Sequence, residues 1–295
     1  MTEDGRASRL IRGLTRRRPR LWPGSGPDAA LYRTLMGASL PRLATHRDSG
    51  SRALARALRT TALGRIPAEE RRWIARIEAR RRDLASGDAV VRPGFSDGSL
   101  VDDEGRGPSI PLAGASRWMS LTPIWCTFLM RLVRELAPRS CLELGTGFGI
   151  SGAYQAASLE LNGAGKLTTL EGAPEYVSIA EHGFSALGLG ERVELRVGRI
   201  TDTLQDVAER AAPIGCAFVD ADHTERATLD QFDAMLPHLG EGAVVVLDDV
   251  NWGDGGMTRA WRKIGRHDRV SVALGFHRLG IVVVSRRGGV GQAGN

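Results

Sequence analysis

The chain of 295 residues has only three cysteines, Cys126, Cys141 and Cys216, odd in number, unclustered and each in or beside an apolar stretch. That pattern excludes a disulfide framework and a cysteine zinc site. It reads as buried thiols in a reducing compartment, so a cytoplasmic setting is expected. Long apolar runs are missing too: the longest, such as Ala243 to Leu247, fall far short of the ~20 residues that a membrane helix needs. No apolar segment follows the basic N-terminus, so no secretory signal is expected, and Glu3 and Asp4 disfavour a transit peptide. No internal repeat is evident. The length suits one large domain, or one domain with a substantial extension.

Lysine is absent from residues 1–110, which hold 22 Arg and 13 acids, a net of +9. With +6 overall, residues 111–295 carry −3, so the basic character belongs to the N-terminal third. Arg6, Arg9, Arg12, Arg16, Arg17, Arg18 and Arg20 form an arm that reads as a solvated, disordered tail over residues 1–28. The rival reading, nonspecific binding to nucleic acid, is disfavoured because no N-P-P-Y-type motif and no interleaving of aromatic with basic residues accompanies it. After the Pro23-Gly24-Ser25-Gly26-Pro27 break, Asp28 is placed to cap a helix from Ala29. A second helix is expected after Ile66-Pro67, with Trp73, Ile74, Ile77 and Leu84 as its apolar stripe. Residues 29–110 therefore read as a helical extension, covering a pocket or making a dimer contact, and residues 93–117, rich in Gly, Pro, Ser and Asp, as a long loop.

The most informative stretch is Leu142-Glu143-Leu144-Gly145-Thr146-Gly147-Phe148-Gly149. It ends a strand in three glycines and starts a helix at once. A second strand, Leu167 to Glu171, ends in an acid about one βαβ unit further on. A dinucleotide fingerprint needs G-x-G-x-x-G, and Ile150 occupies the third glycine position, so the loop is a poor pyrophosphate cradle. The E-x-G-x-G-x-G form resembles the first motif of class I S-adenosylmethionine-dependent methyltransferases. Gly145 and Gly147 would let backbone approach the ligand. The resemblance implies Glu143 facing the amino-acid end of the cofactor and Glu171 accepting from its ribose hydroxyls, with Thr146 and Gly149 completing the loop. Ser151 at the helix N-terminus would bond the cofactor carboxylate or cap the helix. Met119 and Ser120 match where catechol-type enzymes wrap the methionine end, or are ordinary packing residues; Gly198-Arg199 would lie beside adenine on position alone.

Further strands are expected at Ser140 to Leu144, Arg192 to Val197, Cys216 to Asp220, Ala243 to Asp248, Val270 to Ala273 and Gly280 to Ser285, after a helix over Pro123 to Leu136. Several are nearly continuously apolar, as parallel strands covered on both faces are. The last two suit an antiparallel hairpin joined by Leu274 to Leu279. The expected fold is α/β, a Rossmann-like seven-stranded methyltransferase sheet over residues 111–286 with six parallel strands and one antiparallel, followed by a flexible tail over 287–295.

Acids gather where ligands sit in such sheets, beyond the strand carboxyl ends: Asp220-Ala221-Asp222-His223 and Asp248-Asp249-Val250-Asn251-Trp252. If the strands that they end are neighbours, as the resemblance implies, Asp220, Asp248 and Asp249 converge; three such carboxylates repel and raise one another's pKa, a cost that a hard divalent cation removes. The D-x-D-H and D-D pattern resembles the cation-dependent small-molecule O-methyltransferases of catechol, caffeoyl-CoA and antibiotic-sugar type. By that resemblance Asp220, Asp248 and Asp249 would hold Mg²⁺ or Mn²⁺, Asp220 also lying against the cofactor, and the acceptor would be a hydroxylated small molecule. His223 stands where catechol-type enzymes carry a lysine and is a candidate base; Asp222 is the other, or orients His223, or caps the next helix. Metal-independent N- or O-methylation with the acids structural is the alternative. Trp252 and Gly253-Asp254-Gly255-Gly256 wall the pocket or form a surface turn.

Overall fold

The computed structural model describes residues 27–44, 46, 48–92 and 109–285. The arginine arm, most of the 93–117 segment and the C-terminal tail lie outside the described residues. Helix α1 (Pro27–Leu43), α2 (Ser49–Ala62) and α3 (Ala68–Leu84) come first. A two-stranded antiparallel ribbon then pairs β1 (Val90–Val91) with β2 (Ile110–Pro111), and α4 (Leu112–Met119) follows directly. Two expectations change here. Helix α1 begins at Pro27, so Asp28 lies within its first turn instead of capping it. Residues 110–117 belong to β2 and α4 and not to a loop.

Helix α2 was not expected from the sequence. Its signals are local: Asp48 accepts from the Ser51 N–H at 2.7 Å as an N-cap, and Ala53, Leu54, Ala57, Leu58 and Thr61 recur at helical spacing on the buried face.

From Pro123 the βα alternation runs as expected. Helix α5 (Pro123–Leu136) precedes β3 (Ser140–Leu144), α6 (Ile150–Asn162), β4 (Lys166–Glu171), α7 (Pro174–Leu187), β5 (Val193–Val197), α8 (Ile200–Ala211), β6 (Ile214–Val219), α9 (Glu225–Met235), β7 (Leu239–Leu247), α10 (Gly256–Ile264), β8 (Val270–Phe276) and β9 (Leu279–Val284). The sheet order is β5-β4-β3-β6-β7-β9-β8. Five strands pair in parallel, β9 is antiparallel to both β7 and β8, and β8 therefore runs with the parallel set. The seven-stranded fold with one reversed strand is as expected. Strand β8 reaches Phe276, so the hairpin turn is only His277-Arg278, with Phe276 paired to Leu279.

Side chains alternate across the sheet. Leu142, Leu144, Ala217 and Val245 face α8, α9 and α10, whereas Cys141, Leu167, Phe218 and Val244 join Trp125, Phe128, Ala153 and Tyr176 on the other face. That second cluster continues without a break into Met36, Leu54, Leu58, Ile74 and Ile77 of the N-terminal helices. The three cysteines are all buried and free.

Ion pairs reinforce this junction. Glu70 of α3 is fully buried and meets Arg131 and Arg134 of α5; Arg131 continues to Glu135 at 2.6 Å, and Glu135 to Arg56 of α2 at 2.6 Å. Glu78 of α3 accepts from the Tyr154 hydroxyl at 2.8 Å and from Arg81 at 2.9 Å. Part of the arginine excess is thus structural. Among the described residues no helix is long and apolar enough to cross a membrane.

The closest approach of extension to sheet is at Gly50, where a Cβ would come within 2.0 Å of the Gly242 carbonyl oxygen. Gly50→Val is expected to force α2 off β7, at about 1–3 kcal/mol and roughly 2–4 °C of Tm per kcal/mol. Thermal unfolding followed by circular dichroism checks this; an unchanged Tm would mean that the extension is not packed there.

Candidate active site

The glycine loop leaves β3 at the carboxyl end of the sheet and enters α6. Its three glycines answer three different demands. At Gly145 (φ +92°) a Cβ would come within 2.1 Å of the Asp220 carbonyl oxygen, so the constraint is the end of β6 and not a ligand. Gly149 (φ +79°) is closed in by Ala180 and Phe184 of α7, both at 3.1 Å. Gly147 (φ +52°) alone faces open space and is the point where backbone is free to approach a bound molecule.

Glu171 clips the loop from β4. Its Oε2 accepts from the Gly147 N–H at 2.8 Å and its Oε1 from the Ala173 N–H at 2.9 Å. The Gly172 backbone also bonds this carboxylate, which with about four acceptor positions keeps some capacity for a further donor. Burial raises its pKa, against the backbone N–H groups that lower it.

Glu143 lies beneath the loop, fully buried. It accepts from Gln155 Nε2 at 2.9 Å and from Thr169 Oγ1 at 2.7 Å, and Ser151 also bonds it. Thr169 Oγ1 lies 2.6 Å from Thr146 Oγ1, which links this buried acid to the loop. Ser151 does not cap α6: the N-cap position is Gly149, without a side-chain bond.

The acids converge on the neighbouring strand ends. His223 Nε2 lies 3.3 Å from Asp220 Oδ1 and 3.7 Å from Asp249 Oδ2. Burial alone would lower the His223 pKa; the hydrogen bond to Asp220 and the charge of Asp220 first, then the charges of Asp249 and Asp248, outweigh it and raise the pKa. Asp222 (φ +46°) and Asp249 (φ +52°) both hold the left-handed backbone region, which aspartate tolerates better than most residues. Asp222 is not the cap of α9. That role belongs to Thr224, whose Oγ1 accepts from the Ala227 N–H at 3.2 Å. The His223 ring meets Asp220 and Asp249, not Asp222.

One residue of the cluster went unnoticed in the sequence. Arg278, in the two-residue β8–β9 turn, grips Asp248 with Nε at 2.6 Å from Oδ1 and Nη2 at 2.5 Å from Oδ2, and Nε also lies 3.1 Å from Asp249 Oδ1. Asp248 is fully buried, and its Oδ1 also accepts from the Asp249 N–H at 2.8 Å. Burial and the charge of Asp220 push the Asp248 pKa up, and Arg278 works against them. The arrangement does not fit a divalent cation on Asp220, Asp248 and Asp249, because both Asp248 oxygens already serve the guanidinium. Among the described residues no group of three His, Cys, Asp or Glu is placed to hold a metal. The available signal was position: a hairpin linking β8 to β9 must turn at the sheet's ligand end.

Around this centre, Trp118 and Trp252 meet edge to face with centroids 6.1 Å apart, both partly exposed. Trp252 is held beside the acids by its N–H on the Asp249 carbonyl at 2.8 Å. Met119 ends α4, half-buried against the core. Arg199 is exposed at the N-cap position of α8, after β5.

A model described as "Methyltransferase domain" matches residues 142–250. A catechol O-methyltransferase of Mycobacterium tuberculosis is 33% identical over 55% of this chain and 72% of its own. One of Niastella koreensis is 33% identical over 45% of this chain and 58% of its own. An O-methyltransferase from Bacillus cereus, solved in complex with SAH, is 26% identical and superposes with a TM-score of 0.50 over 57% of this chain and 84% of that one. Fold and loop together define a cofactor-dependent group-transfer protein, and the chain belongs to the class I S-adenosylmethionine-dependent methyltransferase family. It spans less than two thirds of the length of some of the curated relatives that it matches.

Removing the Glu171 carboxylate should weaken the donor side specifically. Glu171→Ala is expected to raise the Kd for S-adenosylhomocysteine by about tenfold or more, since hydrogen bonds to charged groups contribute roughly 1.5–3 kcal/mol; calorimetric titration reads it. Burial lifts the Glu143 pKa from the usual ~4.3 to about 7. A raised folded-state pKa gives stability that is present below the unfolded value and lost as pH rises through the folded one. Tm should therefore fall between about pH 4 and pH 7, and Glu143→Gln should flatten that fall.

Proposed function

We propose that this protein transfers the methyl group of S-adenosylmethionine to a hydroxyl of a small molecule. The observation that carries the reading is the contact of Gly145 with the Asp220 carbonyl, which sets the open donor loop directly beside the His223 and Asp249 side chains. When bound, S-adenosylmethionine supplies an electrophilic methyl on a sulfonium. Glu171 takes a ribose hydroxyl on its remaining acceptor capacity, and Gly147 leaves room for the rest. Arg199, Met119 and Ser120 are assigned to the rim of the same pocket by their places after β5 and at the end of α4.

On the acceptor side, His223 Nε2 is the atom placed to take the hydroxyl proton. The ring is half-buried, and Asp220 and Asp249, at 3.3 and 3.7 Å, stabilise the imidazolium that results. Asp222 contributes its backbone turn, with its carbonyl accepting from the Thr224 N–H at 2.6 Å. The edge-to-face Trp118–Trp252 pair offers exposed aromatic surface beside these groups, which suits an aromatic acceptor. The catechol O-methyltransferases among the relatives favour a hydroxyl over an amine as the methylated group.

The test is a panel of phenolic and non-aromatic hydroxylated acceptors incubated with labelled S-adenosylmethionine, with the product's methyl position read by mass spectrometry. Methylation confined to nitrogen would overturn the reading. His223→Ala is expected to lower kcat by about 10²–10⁴ with S-adenosylhomocysteine affinity kept. In the unaltered protein kcat/KM should fall as pH drops through a pKa above the ordinary ~6.5, because the base must be neutral to act. A profile flat across that range would remove His223 from the role.

A further inference from the structure

We infer that the Arg278 guanidinium is the built-in counter-charge of the Asp220, Asp248 and Asp249 cluster, standing where a divalent cation would stand and making the site cation-independent. The turnover part of this rests on the O-methyl transfer proposed above; the ion-binding part does not. Three carboxylates at adjacent strand ends carry a formal charge of −3. Their mutual repulsion has to be offset for β6 and β7 to end side by side, and a cation is one way to do so.

The chain has another way. Arg278 reaches two of the three carboxylates at 2.5 to 3.1 Å through a paired donor fork on Asp248 and a shared Nε on Asp249. His223 lies between the remaining oxygens of Asp220 and Asp249. A metal ion entering would have to displace a guanidinium from a fully buried carboxylate on which three of the roughly four acceptor positions are filled, and would meet its positive charge at contact distance. Unlike a bound ion, a guanidinium stays charged throughout the working pH range and never dissociates.

The turn is built to deliver this side chain. The Val250 N–H donates to the Arg278 carbonyl at 2.9 Å, so the backbone beyond the acids fastens the hairpin tip. His277 takes the left-handed conformation (φ +45°) and lies against Asn251 Nδ2 at 3.0 Å. Both turn residues are thereby tied to the loop that follows β7. Arg278 is a positioning residue: it holds Asp248 and Asp249, and Asp249 in turn faces His223.

Manganese binding tests the inference directly. The full-length protein, dialysed against chelator, is titrated with Mn²⁺ by electron paramagnetic resonance and by thermal unfolding, alongside R278A, R278K and the double variant R278A/D248N. The expected result is no Mn²⁺ bound at the cluster of the unaltered protein, no Mn²⁺-dependent rise in Tm, and turnover unaffected by chelator. R278A should gain a Mn²⁺ site and a Mn²⁺-dependent rise in Tm, both lost again in R278A/D248N, while R278K, still cationic, should gain neither. If R278A does not fold without metal, its recovery on adding Mn²⁺ supports the inference and non-recovery counts against it. Mn²⁺ bound by the unaltered protein and lost in Asp248→Asn would overturn it, as would loss of turnover on chelation. Should no hydroxylated acceptor be methylated, the Mn²⁺ titrations still decide the role of Arg278, so the two proposals fail separately.

Discussion

The carbonyl oxygen of Asp220 stands 2.1 Å from where a Cβ on residue 145 would be, too close for any side chain. Everything at the ligand end of the sheet depends on that contact. Two parallel strands can end side by side anywhere, but here the loop leaving one presses on the backbone leaving the other, with the Asp220 N–H also bonded to the Leu144 carbonyl at 2.8 Å. Donor loop and acidic turn therefore form one rigid piece. Glu143 and the Thr146–Thr169 contact hold it from below, and the β8–β9 turn closes it from the side through Arg278.

Much of this was legible in the sequence, for reasons that can be stated. Apolar strands buried on both faces, separated by helices and ending in Gly or Asp, are local patterns, and they located the strands; that Asp220, Asp248 and Asp249 converge followed from the strand order that the family resemblance implies. Functions that depend on what lies across the fold were not legible. Gly145 reads in the sequence as a ligand-facing glycine, yet its neighbour is a strand end 75 residues further on in a pairing that only the tertiary structure reveals. Arg278 was missed because β8 was ended at Ala273, whereas alternation continues through buried Leu274 and Phe276. Three extra residues of strand convert a loose connection into a tight turn aimed at the acids. At Asp222 a neighbouring side chain, Thr224, took the capping role, a competition that composition cannot decide.

The N-terminal helices carry the same lesson in charge. An arginine-rich stretch suggests a surface that seeks anions, and part of it instead satisfies buried acids. Glu70 and Glu78 are taken out of water at the α3–α5–α6 junction, and burial pushes Glu70 towards its neutral form while Arg131 and Arg134 oppose that. A buried carboxylate with one guanidinium removed is strongly destabilised, so these arginines are tied to one arrangement of helices. The junction thus selects how the extension sits on the sheet more than it adds net stability.

Gly50 and Gly242 meet across nearly the whole described chain. On a ribosome, the N-terminal helices emerge first, and domains generally begin to fold as they appear. Helix α2, however, packs mainly on α1 and α5 and reaches β7 at Gly50, and β7 is made only after most of the sheet. Its buried face, Leu54 and Leu58 above all, shares one cluster with Met36 of α1 and Trp125 and Phe128 of α5, which are all made before that strand. The close glycine contact is therefore a late closure: the N-terminal helices can find one another and α5 first, and the fit to the sheet edge is completed when β7 arrives.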